Sequence, residues 1–79
     1  MDKANLVKAN EISTEIRKIE DSVSCVKKAT KIGFKDNYGE FFYQTQHIIS
    51  KDSFNVITKI VISELNIELA KKEAEFNAL

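Results

Sequence analysis

The sequence predicts a mostly helical α+β domain in which a long α-helix, a β-hairpin and a second long α-helix follow one another. Apolar residues recur at spacings of three and four in both outer segments, which is the helical pattern. The middle segment holds both glycines and most of the aromatic residues around a turn-forming centre. We expect a single domain made of helix 2–28, hairpin 29–47 and helix 51–78, with the helices paired antiparallel as a coiled-coil-like hairpin.

The first helix is predicted from a heptad pattern with one apolar stripe that begins at Ala9. The charged residues between the apolar ones carry mixed sign, as on a helix that packs on one side only. Asp2 is a competent N-cap for this helix. The stripe residues expected at an interhelical interface are Ile12, Ile16, Ile19, Val23 and Val26.

The middle segment is predicted to be a β-hairpin because apolar and polar residues alternate with period two before the turn. Asp36 and Asn37 favour turns, and Gly39 can adopt a positive φ. The strand after the turn, residues 40–46, is rich in aromatic residues. An isolated hairpin is marginal in water, so we expect these aromatic side chains to pack on the helices or within an oligomer, or to bind a partner. The candidate partner-binding residues are Phe41, Phe42 and Tyr43.

The last segment is predicted to be a helix that begins between Ser50 and Ser53 and carries two apolar stripes. At about 100° per residue, its apolar residues fall into two sectors on roughly opposite sides of the helix. The first stripe consists of Phe54, Ile57, Val61, Leu65, Leu69, Phe76 and Leu79. The second consists of Val56, Ile60, Ile67, Ala70 and Ala74, with Ser63 completing the spacing of 4, 3, 4, 3 and 4. Two apolar faces need covering on two sides, and the first helix can cover only one.

The size of the chain also favours self-association. A domain this small buries only about 60% of its unfolded surface and usually needs disulfides, a metal or oligomerisation. A single cysteine excludes an intrachain disulfide, and Cys25 with His47 falls short of the about four ligands of a structural zinc site. We therefore expect a homo-oligomer without metal or cofactor. The hairpin or a different protein are the other candidates to cover the second stripe.

The residues that could carry chemistry form no catalytic pattern. Cys25 falls at an outward position of the first helix, which favours an incidental thiol over a reactive one. His47 is the only histidine, and no nucleophile accompanies it at a catalytic spacing. The two glycines do not form a phosphate-binding loop. We expect no catalytic, cofactor or metal site, and no enzyme activity.

The charge balance disfavours a nucleic-acid-coating protein, because 12 basic and 12 acidic residues give a net charge of zero. One basic concentration near aromatic residues nevertheless leaves an alternative role in single-stranded nucleic-acid binding. It consists of Lys27, Lys28, Lys31, Lys35 and Tyr38. The N-terminus lacks an apolar signal core, and residues 60–62 form the longest aliphatic run. We expect a cytoplasmic protein that does not contact membranes.

Two runs of the chain resemble small uncharacterised proteins of bacteriophages and mobile elements. They are Ala9, Asn10, Glu11 and Ile12 followed by Glu15 and Ile16, and the run from Leu65 to Leu79. The resemblance implies a short helix–loop or hairpin–helix protein and carries over no functional residue. The element order is also similar to that of prefoldin subunits, whose helices are considerably longer. We expect a non-enzymatic structural or interaction protein that self-associates through helical seams. A phage-type modulator that docks on a host protein is a further alternative.

Overall fold

The computed structural model describes residues 2–45 and 47–79, in which two long helices flank a two-stranded antiparallel hairpin. The predicted fold class and the antiparallel pairing of the helices are confirmed. Met1 and Gln46, which fall within the predicted domain and the predicted second strand, lie outside the described residues. The elements are α1 (Lys3–Lys27), β1 (Lys31–Lys35), β2 (Phe41–Thr45) and α2 (Lys51–Asn77).

Side-chain oxygens cap both helices at their N-termini. Asp2 Oδ1 accepts a hydrogen bond from the backbone N–H of Asn5 at 2.8 Å, as predicted for this residue. Ser50 caps α2, and its Oγ accepts from the backbone N–H of Ser53 at 3.1 Å. Each bond satisfies an N–H group that the first helical turn leaves without an intrahelical partner. These caps define where α1 and α2 begin.

The seam between α1 and α2 is the main packing contact of the molecule. The predicted stripe of α1 faces α2, so that Ala9 is buried and the following stripe residues are half-buried. Phe54 is the buried residue of α2, and Leu65 and Leu69 are half-buried in the same seam. Within the two described ranges, Ala9 and Phe54 are the only buried residues, because two helices cover each other on one side only.

The side of α2 that faces α1 corresponds to the first predicted stripe. Val61 and Phe76 of that stripe each keep 40% of their surface exposed. Ile62, which the predicted stripe did not include, is half-buried. Val61 and Ile62 lie about 100° apart on the helix, on either side of the line that faces α1, so a small rotation of the helix decides which one packs.

One ion pair links the middle of α1 to the last turns of α2. Lys72 Nζ lies 2.8 Å from Glu15 Oε2 and 3.6 Å from Glu75 Oε2. The hydrogen bond to Glu15 raises the pKa of Lys72 above its ordinary value of 10.5. A raised pKa in the folded state means that the pair stabilises the fold fully below pH 10.5, and that this contribution is lost as the pH rises further. The pair therefore supports the antiparallel arrangement at neutral pH.

Asp36 and Gly39 close the hairpin turn. Asp36 Oδ1 accepts from the backbone N–H groups of Tyr38 at 2.9 Å and Glu40 at 3.0 Å. Gly39 has φ of +86°, in the left-handed region where a Cβ costs roughly 1–2 kcal/mol. The predicted turn role of Gly39 is confirmed.

The molecule is elongated. Its extents are 53 × 29 × 17 Å and its radius of gyration is 16.6 Å, compared with about 12 Å for a compact chain of this length. The hairpin lies at the end of the helix pair where α1 ends and α2 begins. The accessible surface is 6343 Å², about 1,500 Å² more than a compact monomer of this mass exposes. Among the described helices, none combines the length and the apolar character needed to cross a bilayer.

Ile16 is a suitable probe of the seam. We expect Ile16→Ala to lower the free energy of unfolding by about 1–2 kcal/mol, because the side chain is half-buried and its removal leaves a gap against α2. Ser13→Ala, at an exposed position of α1, should change it by less than about 0.5 kcal/mol. Urea denaturation of both variants measures the difference. Equal stabilities would show that the seam does not contribute as described.

Candidate interaction surfaces

The second apolar stripe of α2 lies on the side of the helix away from α1 and is exposed. We call it the outer stripe. Val56, Ile60 and Ile67 keep 55%, 59% and 50% of their surface accessible. Ala70 and Ala74 are also exposed. The outer stripe consists of Val56, Ile60, Ser63, Ile67, Ala70 and Ala74.

The outer stripe has the dimensions and borders of a helix-packing surface. From Val56 to Ala74 it extends for about 27 Å along the axis of α2. Lys59, Asn66 and Glu73 border it on one side. Glu64 and Lys71 border it on the other. Isolated exposed apolar residues are normal on protein surfaces, but a heptad-spaced stripe between polar borders is typical of a helix that packs against another helix.

The predicted interface residues fall into two groups. The five from α1, Ile12 to Val26, face α2 of the same chain and form the seam. The five from α2 face away from the chain. The outward side of α1 has no stripe to match them, because its exposed large apolar residues are Leu6 and Val7 in the first two turns. The outer stripe is therefore the unpartnered helical surface of the described chain.

A second surface lies on one face of the hairpin, which we call the Lys–aromatic face. It comprises Lys31 and Lys35 of β1 with Phe41 and Tyr43 of β2. The two rings are nearly parallel, with an interplanar angle of 13° and centroids 6.0 Å apart. Lys35 Nζ lies 5.6 Å from the Phe41 centroid, and Lys31 Nζ lies 5.9 Å from the Tyr43 centroid. Both distances are within the range of cation–π attraction.

Gly33 makes this arrangement possible. It pairs with Tyr43 across the hairpin, and the Tyr43 ring lies over it. A Cβ at position 33 would lie 3.1 Å from Tyr43 Cε1, which is too close for an undisturbed ring. This role of Gly33 depends on the strand register, which pairs it with Tyr43.

The hairpin aromatics remain exposed in this chain. Phe41 and Tyr43 are on the Lys–aromatic face, whereas Phe42 is on the opposite face with Phe34, and all four are more than half exposed. The expectation that they pack on the helices is therefore wrong. Among the apolar side chains of the hairpin, Ile32 alone is half-buried within the described ranges. Burial in an oligomer, or contact with a partner, stays a prediction.

The predicted basic patch is only partly assembled. Lys31 and Lys35 meet Phe41 and Tyr43 on the Lys–aromatic face. Tyr38 is at the turn and is 92% exposed. The two remaining lysines of the patch, at the end of α1 and just after it, are exposed to solvent.

Cys25 and His47 lie in separate crevices. Cys25 is an exposed free thiol at an apolar crevice of about 240 Å³, where Ile32 meets Ile57 and Val61. His47 lines a crevice of about 330 Å³ with Thr30, Lys31 and Thr45. No three metal-ligating residues cluster in the described part of the chain.

Comparison with known proteins assigns no function to these surfaces. No protein-family model matches the chain, and no curated protein or solved structure is significantly similar to it. The outer stripe offers a partner exposed apolar area, and the Lys–aromatic face offers charge and aromatic rings.

Tyr43 over Gly33 predicts a measurable ring-current effect. At least one Gly33 α-proton should shift upfield in the proton NMR spectrum, because it lies beneath an aromatic ring. Tyr43→Leu should return it to an ordinary position, while Tyr38→Leu, at the exposed turn, should leave it unchanged. An ordinary Gly33 shift in the unmodified protein would mean that the Tyr43 ring does not lie over this residue in solution.

Proposed function

We propose that this chain is a non-enzymatic interaction protein that self-associates through the outer stripe of α2. The observation that carries the proposal is a continuous heptad-spaced stripe, exposed on a helix whose opposite side is already packed. The excess surface of about 1,500 Å² supports it, because a stable interface needs about 800 Å² from each partner. Such an interface also supplies the apolar burial that a two-helix domain lacks.

A second copy is the occupant that the chain itself favours. A heptad-spaced stripe packs best against another helix, because its spacing keeps the apolar residues aligned along a helix seam. The outer stripe is the helical stripe that remains exposed after α1 and α2 pack. Two copies can therefore cover each other's outer stripes without a further protein. Capture of a host protein by the same stripe, as in the phage-type alternative, would leave the protein monomeric on its own.

Ile60→Lys tests this proposal. The variant places a charge at the centre of the outer stripe and should convert an oligomer into a monomer at micromolar concentration, because a lysine there would be buried unpaired. Val7→Lys is the matched control, since Val7 is exposed to a similar extent on α1 and should leave the assembly intact. Sedimentation equilibrium measures the mass, and circular dichroism checks that both variants fold.

The melting temperature of the unmodified protein provides a second test of self-association. Self-association makes the melting temperature rise with protein concentration. A cooperatively folded monomer whose melting temperature is the same across the micromolar range would overturn the proposal.

The Lys–aromatic face supports a second candidate function, binding of single-stranded nucleic acid. It presents two ammonium groups and two half-exposed rings on one open surface. Such a surface can bind the phosphate backbone of a single strand by charge and its bases by stacking. The carboxylate of Asp36, in the turn after β1, accepts hydrogen bonds from two backbone N–H groups. The zero net charge of the chain limits long-range attraction, which makes this the weaker candidate.

Salt dependence tests the second candidate. For a fluorescent single-stranded oligonucleotide, the logarithm of the binding constant should fall linearly with the logarithm of salt concentration. The double variant Lys31→Gln and Lys35→Gln should reduce the magnitude of this slope by about 1.4. Tyr43→Leu should weaken binding by about 1–3 kcal/mol through lost stacking. Lys3→Gln, at the far end of α1, serves as the control. No binding at low salt removes this candidate.

A further inference from the structure

We infer that the outer stripes of two copies pack antiparallel across a two-fold axis near the middle of α2. This inference rests on the proposed self-association and specifies its geometry. It follows from three properties of α2: the sizes of the stripe residues, the position of the stripe along the helix, and the charges along its borders.

The residue sizes are complementary in the antiparallel arrangement. The register that places Ser63 beside Ile67 of the second copy also places Ile60 beside Ala70 and Val56 beside Ala74. Each layer then contains one larger and one smaller side chain, so the two helix axes keep a constant separation. In a parallel pair each residue meets its own copy. Isoleucine layers would hold the helices apart and leave voids at the alanine layers.

The register also places the two-fold axis near the middle of α2. Its two-fold axis passes close to residue 65, and α2 spans Lys51–Asn77, whose midpoint is residue 64. The two α2 helices therefore overlap along nearly their full length, with each C-terminus beside the start of the other helix. Each α1 remains on the outer side of the resulting four-helix layer, because the seam and the outer stripe lie on opposite sides of α2.

The border charges favour the same arrangement on one side of the stripe. In an antiparallel pair, Lys59 lies opposite Glu73 of the second copy, and symmetry repeats this attraction. Asn66 lies near Asn66 of the second copy at the axis, where two amides can donate to and accept from each other. On the other border, Glu64 faces Glu64 of the second copy, which is the one repulsive pair.

A parallel pair makes different contacts along the borders. There Lys59 lies beside Glu64 of the second copy, whereas Glu73 lies near Ala78 and has no charged partner. In the described chain Lys59, Glu64 and Glu73 take part in no intrachain ion pair, since those pairs involve Glu15, Glu68, Lys71, Lys72 and Glu75. Changes in association on substituting these three residues therefore report on contacts between copies.

Charge substitutions test the register through the dissociation constant of the dimer. Lys59→Glu and Glu73→Lys should each weaken association by about tenfold, and the double variant should recover the original affinity, because the two symmetry-related pairs are restored with reversed sign. Glu64→Gln should strengthen association by removing the repulsion. Glu11→Gln, at an exposed position of α1, is the matched control and should have no effect.

A distance between copies provides an independent readout. In a Cys25→Ser background, a spin label at the exposed position Lys51→Cys marks the start of each α2, and electron spin resonance measures the separation between labels. An antiparallel pair places the two starts at opposite ends, about 42 Å apart along the axis, since they differ by about 28 residues of rise. A parallel pair places them side by side, separated by the roughly 8–10 Å between packed helix axes and the reach of the two labels.

The outcomes separate this inference from the proposed function. A dimer with a short label distance, in which Glu64→Gln weakens association and the double charge variant fails to recover it, overturns the antiparallel geometry and leaves self-association intact. A monomer at every concentration overturns both. A dimer with distant labels and a recovered double variant supports the inference.

Discussion

Two helices packed side by side share a single seam, and this limit shapes the rest of the molecule. Ala9 and Phe54 are the only buried residues within the described ranges, and the remaining seam residues are half-buried. The seam and the Glu15–Lys72 pair hold α1 and α2 antiparallel. Nothing in a two-helix layer can cover the far side of α2. The apolar residues on that side are therefore exposed to solvent in the single chain.

The hairpin also leaves most of its apolar residues exposed. Its strands have five residues each, and it lies at the end of the helix pair where α1 ends and α2 begins. Its aromatic residues lie on both faces because side chains alternate along each strand. On one face Gly33 leaves room for Tyr43, and two lysines lie over the rings. An antiparallel pair would carry two such faces at opposite ends of a four-helix layer.

Much of this fold could be predicted from the sequence because helix periodicity is a local property. The heptad spacing of α1 identified the seam, and the second stripe of α2 was identified as a separate surface. The choice between Val61 and Ile62 could not be predicted, since it depends on how α2 is rotated toward α1. The exposure of Phe41, Phe42 and Tyr43 could not be predicted either, because it depends on where the hairpin lies relative to the helices. Likewise, the contact between Gly33 and Tyr43 depends on strand register.

In the proposed dimer, the outer stripe of one chain contacts the outer stripe of another. An isotope-filtered NOE experiment on a mixture of labelled and unlabelled protein detects only contacts between copies. We expect intermolecular NOEs between the methyl groups of Ile60 and Ala70. Contacts between copies that connect only other surfaces, or none at millimolar concentration, would contradict it.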